Sequence, residues 1–335
     1  MRTARHIMLA HGNGGRFMRE LIEEIFARRL ENPELDVRCD ASPFSIAEGA
    51  PLVTTDGFTV KPLEFPGGDI GSLAVNGTVN DLAVSGGRPL YLTLSAIIEE
   101  GLEIAQLERI AASAGAAARA AGVRVVAGDT KVVPRGQGGG LYLVTTGIGT
   151  RPPGLELGLD RIRPGDKLLV SGPVGDHGAC VMLAREDFDL KGSIRSDCAC
   201  VAPLTEAIAG LAGTRFMRDP TRGGMATVAT EIVAATGLQV RLSEADVPVR
   251  DAVRSVCEIL GFDPYYLACE GRVVAVVARD CAEPALAAWR SLEHGREAAI
   301  VGEIASAPAR VVLETTAGGE RVLEELEDDP LPRIC

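Results

Sequence analysis

Asp69-Ile70-Gly71-Ser72-Leu73-Ala74-Val75-Asn76-Gly77-Thr78-Val79-Asn80-Asp81-Leu82-Ala83-Val84 is the stretch on which the reading of the first half turns. It follows a Pro66-Gly67-Gly68 turn, and Asp69 stands where a side-chain oxygen can cap the first N–H groups of a helix. The spacing therefore predicts a helix over 69–84, interrupted by the polar island Gly77-Thr78-Val79-Asn80-Asp81. Upstream, residues 14–30 read as a helix, with Phe17, Leu21 and Ile25 four apart and Ile22 and Phe26 beside them. Leu52-Val53-Thr54-Thr55 reads as a short strand and 57–60 as a second. Downstream, 91–98 is rich in β-formers, 103–121 is an alanine-rich helix ended by Gly122, 123–127 is a strand, and 141–148 completes a first α+β unit.

Prolines and glycines cluster from Arg151-Pro152-Pro153-Gly154 to Arg163-Pro164-Gly165, which marks a boundary. Beyond it come a strand at 167–171, a glycine-rich turn and a helix from about Gly178. Helices near 199–211, 224–235, 251–260 and 283–292 alternate with strands near 238–242, 272–278 and 298–304, and a hairpin near 310–325 closes the unit. The expected organisation is α+β, with an N-terminal domain over 1–152, a C-terminal domain over 153–325 and a flexible tail over 326–335.

The 335 residues allow two cores, and 46% hydrophobic with 24% charged residues is ordinary for a globular chain. A net charge of −12 argues against binding nucleic acid or an anionic membrane surface. No apolar run is long enough to span a bilayer. The start, Met1-Arg2-Thr3-Ala4-Arg5-His6, lacks the pattern of a signal peptide, so a cytoplasmic location is expected. Eight scattered cysteines read as reduced thiols rather than a disulfide framework.

The last of them, Cys335, ends the run Glu324-Glu325-Leu326-Glu327-Asp328-Asp329-Pro330-Leu331-Pro332-Arg333-Ile334-Cys335. Acids and prolines favour an extended segment held away from an acidic protein, so sulfur chemistry explains this cysteine better than packing does. From Leu326 the segment reaches roughly 30 Å, enough to enter its own site or a partner's. A prenylation box would place its cysteine fourth from the end, which this sequence does not.

Polar islands carry the candidate chemistry. In the first half they are His11-Gly12-Asn13-Gly14-Gly15, Thr55-Asp56-Gly57, Gly77 to Asp81, and Gly128-Asp129-Thr130-Lys131. Carboxylates at separate strand ends can converge on Mg²⁺, a lysine can neutralise phosphate, and glycines opening a helix offer N–H groups to an anion. Taken singly, Asp81 reads more readily as a solvated helix face and Gly128-Asp129 as a plain turn. Taken together they favour a magnesium–nucleotide site, although no P-loop, dinucleotide fingerprint or kinase loop is present. In the second half, Ser171-Gly172-Pro173-Val174-Gly175-Asp176-His177-Gly178 and Arg218-Asp219-Pro220-Thr221-Arg222-Gly223-Gly224 place backbone donors at helix starts, where a turn with a cap is the alternative. Glu270, after the apolar run Tyr265 to Cys269, is a candidate base or else a solvent-facing strand-start acid.

In this order, and with the ending Pro330-Leu331-Pro332-Arg333-Ile334-Cys335, these islands closely resemble the HypE family of nickel–iron hydrogenase maturation proteins, end to end. The terminal Pro-Arg-Ile-Cys separates that family from relatives sharing the ATP-binding plan: aminoimidazole ribonucleotide synthetase, selenophosphate synthetase and thiamine-monophosphate kinase. The resemblance implies a two-domain aminoimidazole ribonucleotide synthetase-like fold. Its N-terminal β-barrel-like domain would form a homodimer and bind ATP, and its C-terminal α+β domain would cover the nucleotide. It implies that HypF, a carbamoyltransferase, loads the terminal cysteine with a carbamoyl group. ATP-dependent dehydration then converts the S-carboxamide to an S-cyanide, and the cyano group passes to iron on a HypC–HypD complex. By the same carry-over Asp56, Asp81 and Asp129 are Mg²⁺ ligands. Asn80, Thr130, Lys131 and Gly14 lie at the nucleotide, and Gly223, Gly224 and Arg222 at the transferring phosphate. Cys335 is the carrier, and Glu270 is the base with His177 as its alternative. Two other readings are selenophosphate or aminoimidazole ribonucleotide synthetase, which leaves the tail without purpose, and a non-catalytic scaffold that presents a thiol.

Overall fold

Thr54 and Asp56 are half-buried while Val53, Thr55 and Gly57 are exposed, the period-two burial of a strand with one covered face. In a computed structural model of the chain, this strand, β1, runs unbroken over Ala50–Phe58 rather than as the two short pieces the sequence suggests. Asp56-Gly57 does not break it, because β1 lies at a sheet edge where a glycine is tolerated. The structure describes residues 5–12, 15–35, 37, 44–46, 48–185, 193–326 and 334–335.

The described residues divide into two compact units, one drawn from Met1–Leu82 and Gly87–Pro152 with Cys335, the other from Ala83–Gly86 and Pro153–Ile334. The first opens with helix α1 (Gly15–Leu21), a π-helical stretch at Ile22–Ala27 and α2 (Arg28–Leu30), on the span the apolar spacing marks. After β1 come the small hairpin β2 (Glu64–Phe65) and β3 (Gly68–Asp69), then α3 (Ile70–Val84). Asp69 Oδ1 accepts from the Gly71 and Ser72 N–H groups at 2.7 and 3.0 Å, the cap expected of it. Next are β4 (Arg88–Glu99), α4 (Ile104–Ala120), β5 (Arg124–Val133) and β6 (Leu141–Arg151).

The four long strands form one sheet in the order β1-β6-β4-β5, antiparallel except for the parallel β4–β5 pair. One face packs on α3, where Thr145 Oγ1 meets Thr78 Oγ1 and also donates to the Ala74 carbonyl at 3.3 Å. The other face leaves Val53 74% and Val144 37% exposed. Helix α4 approaches α2 so closely that a Cβ on Gly115 would run into the Arg29 carbonyl oxygen.

The second unit holds a seven-stranded sheet in the order β13-β12-β9-β11-β7-β10-β8. Its strands are β7 (Lys167–Val170), β8 (Thr214–Arg218), β9 (Gln239–Ser243), β10 (Val274–Val277), β11 (Ala299–Ala305), β12 (Val311–Glu314) and β13 (Glu320–Leu323). Both faces are covered, which is why β10 reads as an unbroken apolar run. Val274 and Val276 enter the core with Met225, Val228 and Ile232 of α7 (Gly224–Thr236). Ala275 and Val277 enter a second core with Leu204 and Ile208 of α6 (Ala202–Ala209) and Trp289 of α9 (Ala282–Arg290). Strand β8 had no clear sequence signal, because Thr214-Arg215-Phe216-Met217-Arg218 mixes charge with only two large apolar residues.

Helix α5 (Asp176–Ala184) starts on a buried charge cluster. Asp176 Oδ2 takes a hydrogen bond from Arg250 Nε at 3.0 Å, just before α8 (Asp251–Leu260), and lies 3.7 Å from an Arg272 nitrogen. Burial, reinforced by the like charge of Asp197, pushes the Asp176 carboxyl up from 3.8 to about 6, and the two arginines only partly offset this. The folded state therefore binds this proton more tightly than the unfolded chain. Its contribution to stability is full below pH 3.8 and is lost as pH rises to about 6. Denaturant melts of wild type and Asp176→Asn across that window test this: the wild type's stability relative to the variant should fall as pH rises, and a flat difference would contradict it. Gly115→Ala should lose about 1–3 kcal/mol in the same melts, despite alanine's better helix propensity, because the new methyl forces α4 off α2.

Candidate functional site

In the first unit, Thr54 Oγ1 donates to Asp81 Oδ2 at 2.7 Å, joining β1 to the end of α3. Asp56 follows Thr54 by two residues and shares its covered face. Asp56 and Asp81 are thus gathered on one side of the sheet, both half-buried. Thr54, the residue that orients Asp81, went unnoticed in the sequence because nothing distinguishes it from any other strand threonine. Asn80 is 1% exposed within α3.

Asp129 is placed differently. It pairs across the sheet with Ser95, which aligns with Val144 and then Gly57, the row of the uncovered face. Asp56 aligns instead with Thr145 and Leu94 in the covered row. The two acids also sit on opposite edge strands, roughly 14 Å apart along the sheet. Within one copy, then, the three expected ligands do not converge: Asp56 and Asp81 share one side of the sheet and Asp129 lies on the other. Among the described residues no group of three or more His, Cys, Asp or Glu is arranged to hold a metal ion. The reason lies in the parity of the strand: one residue earlier or later, Asp129 would face α3.

Asp129 is instead paired with Lys131, whose Nζ lies 2.8 Å from Oδ2, both side chains being more than half exposed. The hydrogen bond from Lys131 holds the Asp129 carboxyl below its ordinary range, with the Thr130 N–H adding to it. Thr130 between them is 4% exposed on the covered side, so its side chain does not share their open face. In the leading island His11 is buried, and its Nδ1 accepts from the Met8 N–H at 3.0 Å. Gly14 lies outside the described residues.

The second unit collects its candidates around residues 267–272. The Cys269 N–H donates to the Pro220 carbonyl at 2.9 Å, tying in the loop that carries exposed Arg222. Gly223 and Gly224 have positive φ (71° and 58°), and a Cβ on Gly224 would strike the Leu267 and Tyr265 carbonyls. The Gly178 N–H donates to the Ala268 carbonyl at 3.0 Å and the Gly175 N–H to Cys269 Sγ at 3.2 Å. These bonds bring α5 and His177 to the same place, but they also occupy helix-start donors that the sequence offered to an anion. The Glu270 and Gly271 N–H groups each donate to one oxygen of Asp197 at 3.2 Å. Glu270 itself is 2% exposed, not the solvent-facing acid of the alternative reading.

Asp197 and its neighbour Ser196 were not singled out in the sequence. Ser196 Oγ lies 2.8 Å from His177 Nδ1 and accepts from the Cys198 N–H at 3.0 Å. Arg272, 7% exposed, donates to the Pro173 and His294 carbonyls at 3.0 and 3.2 Å and lies 3.5 Å from Asp197 Oδ2.

The last two residues are held in place, while 327–333 of the expected flexible tail lie outside the described residues. In the second unit Ile334 is 2% exposed, and its carbonyl lies 2.8 Å from His177 Nε2. In the first unit the main-chain oxygen of Cys335 accepts from the Thr59 N–H at 3.1 Å and the Thr59 hydroxyl at 3.3 Å. Cys335 is half-buried, whereas the composition of the last residues suggested a thiol kept clear of the body. Isoleucine before the cysteine supplies the reason: it is the apolar anchor that the acids and prolines obscure.

Residues 40–151 match the N-terminal domain and 163–313 the C-terminal domain of AIR synthase related proteins. The chain is 47% identical over 331 residues to the carbamoyl dehydratase HypE of Azotobacter vinelandii, covering 98% of this chain and 97% of that one. A crystal structure of the hydrogenase maturation protein HypE in complex with ATP superposes with a TM-score of 0.93 at 43% identity, covering 98% of this chain and 99% of the other. HypE in a HypE–HypF complex superposes with a TM-score of 0.80 at 44% identity, covering 91% and 99%. Two α+β units matching both domain families, and near-complete likeness to these relatives, mean that the chain belongs to the carbamoyl dehydratase HypE family of hydrogenase maturation proteins.

Proposed function

We propose that this protein uses ATP to dehydrate a carboxamide carried on the sulfur of Cys335, leaving a thiocyanate whose cyano group becomes a ligand in hydrogenase assembly. The observation that carries the reading is the seating of Ile334 on His177, in the unit where residues 267–272 also hold Glu270. The residue after Ile334 is the thiol.

The chemistry follows from leaving groups. A carboxamide does not release its oxygen as water at neutral pH, because oxide and hydroxide leave poorly. Transfer of the ATP γ-phosphoryl group to that oxygen makes it phosphate. Breaking the C–O bond with loss of both nitrogen protons then gives S–C≡N, ADP and inorganic phosphate, with no change of oxidation state. Phosphoryl transfer needs positive charge at the phosphates, for which Lys131 and Arg222 are the proposed side chains and Gly223 and Gly224 the proposed backbone cradle. Asn80 and Gly14 complete the nucleotide-contacting set carried over from the family. Thr130 serves it through its backbone, since its side chain is buried. The hard carboxylate oxygens of Asp56 and Asp81, the latter oriented by Thr54, fit Mg²⁺, which when bound withdraws charge from the phosphates. Asp129, which faces away from them within one copy, holds Lys131 in place. Glu270 takes protons from nitrogen.

The carbamoyl group is supplied by HypF, as the HypE–HypF relative supports. The cyano group is accepted by iron on a HypC–HypD complex. The uncovered sheet face, with Val53 and Val144 exposed, suits a second copy of the chain and hence a homodimer. No helix among the described residues is long and apolar enough to cross a membrane, and the exchange of cargo with such partners belongs in the cytoplasm.

Mass spectrometry of the C-terminal peptide, after incubation with the carbamoyltransferase, carbamoyl phosphate and ATP, should show gain of a carboxamide and then loss of water. A loaded peptide that never loses water would leave only the scaffold reading. Cys335→Ala should bind ATP yet accept no carbamoyl group, and unchanged loading would remove the carrier role. Asp81→Asn should load normally and dehydrate at least roughly 10²-fold more slowly. Glu270→Gln should load, seat its tail and lose roughly 10²–10⁴-fold in cyanide formation at every pH, the contribution of a general base.

A further inference from the structure

His177 is completely buried at the start of α5, and both of its ring nitrogens have partners of defined character. Nε2 lies 2.8 Å from the Ile334 carbonyl oxygen, which can only accept, so Nε2 carries a proton. Nδ1 lies 2.8 Å from Ser196 Oγ, which already accepts from the Cys198 N–H and has its own hydroxyl proton to give. Burial pushes the His177 pKa below 6.5. The Ile334 carbonyl and Asp197 oppose this, while Arg185 adds to it. A neutral ring has a single N–H, and here it is on Nε2, with Nδ1 accepting from Ser196. The nitrogen that faces the tail is therefore the protonated one. The lone pair a base would need points at Ser196 instead.

We propose that His177 is the latch of the tail rather than its base: Nε2–H grips the main-chain carbonyl one residue before Cys335, and Ser196 is the positioning residue that holds the ring by its Nδ1. The Ser196 hydroxyl, donating to Nδ1, holds the ring at the angle that aims Nε2–H at the Ile334 oxygen, and its loss loosens that aim. The consequence for catalysis rests on the proposed route of Cys335 through this site, whereas the seating itself does not.

Gln and Leu at position 177 separate the two roles, because Gln keeps a donor near the place of Nε2 but cannot titrate, and Leu keeps neither. Seating is read without turnover, as the rate at which a small alkylating reagent labels Cys335 on the C-terminal peptide. His177→Leu and Ser196→Ala should label about three- to tenfold faster than wild type, the scale of one lost hydrogen bond, with His177→Gln between. Equal rates in all four proteins would overturn the latch. Nitrogen shifts of the imidazole in the full chain, assigned by their loss in His177→Gln, should show Nε2 protonated and Nδ1 bare, in wild type and in Ser196→Ala alike. A wild-type ring protonated on Nδ1 alone would also overturn it. If His177→Leu does not fold, as a thermal melt would report, the shifts and the Ser196→Ala labelling still decide. In single turnover of the carbamoylated protein, His177→Gln should form cyanide faster than His177→Leu. Equal loss in both, at wild-type labelling rates, would make His177 the base. Should wild type itself form no cyanide, the proposed activity fails while labelling and tautomer still judge the latch.

Discussion

The carboxylate of Asp197 holds the second unit's candidate site together. Each of its oxygens accepts a main-chain N–H, from Glu270 and from Gly271, and its side chain is 1% exposed beside Arg272. Such a group cannot be replaced by water or by a neutral neighbour without stranding two buried donors. A Cβ on Gly271 would strike the Asp197 carbonyl, so glycine is what lets the two segments approach this closely. From that contact the rest follows. Residues 267–272 are pinned, Pro220 and Gly178 bond to them, and the side chains of Glu270, His177 and Arg222 take their places on the elements so fixed. Charge is balanced locally: Asp176 and Asp197 share Arg272, and Asp176 has Arg250 as well. Breaking a buried pair of this kind costs about 3–5 kcal/mol, because the partner left behind keeps its charge without compensation.

The first unit depends on a different constraint, the strict alternation of a strand. Thr54 and Asp56 face α3, where Thr54 donates to Asp81, while Asp129 and Lys131 face away from it. Two pairs of polar residues that look equivalent in the sequence therefore belong to separate surfaces. One is a hydroxyl that orients the Asp81 carboxylate, with Asp56 two residues along on the same face. The other is an exposed ion pair in which a lysine is steadied by its neighbour, and an exposed pair of that kind adds little stability. Its value lies in placing an ammonium group rather than in holding the fold.

Much of this architecture was legible in the sequence where the period was long and the caps were explicit. The Asp69 cap, the α3 and α4 spans and the strand-rich second unit all follow from spacing and turn residues. What could not be read was parity and partnership. Within one copy Asp129 lies on the other face from Asp56 and Asp81, and the face each strand residue takes depends on pairing across the sheet, including the bulge between Leu92 and Thr93. Helix-start glycines at 175 and 178 looked like free donors, yet their N–H groups bond to Cys269 and Ala268, almost a hundred residues along the chain. Asp197 and Ser196 carry no local signal at all, because a buried carboxylate and a surface one are spelled the same way.

The grip of His177 on Ile334 is a grip on backbone. A bond to a peptide carbonyl has no knowledge of what the next residue's sulfur carries, so it contributes equally to a bare thiol, a carboxamide and a cyanide. Seating of this sort sorts no cargo and drives no cycle. In the proposed cycle, direction must then come from elsewhere: from the release of phosphate, and from partners that read the sulfur's substituent directly.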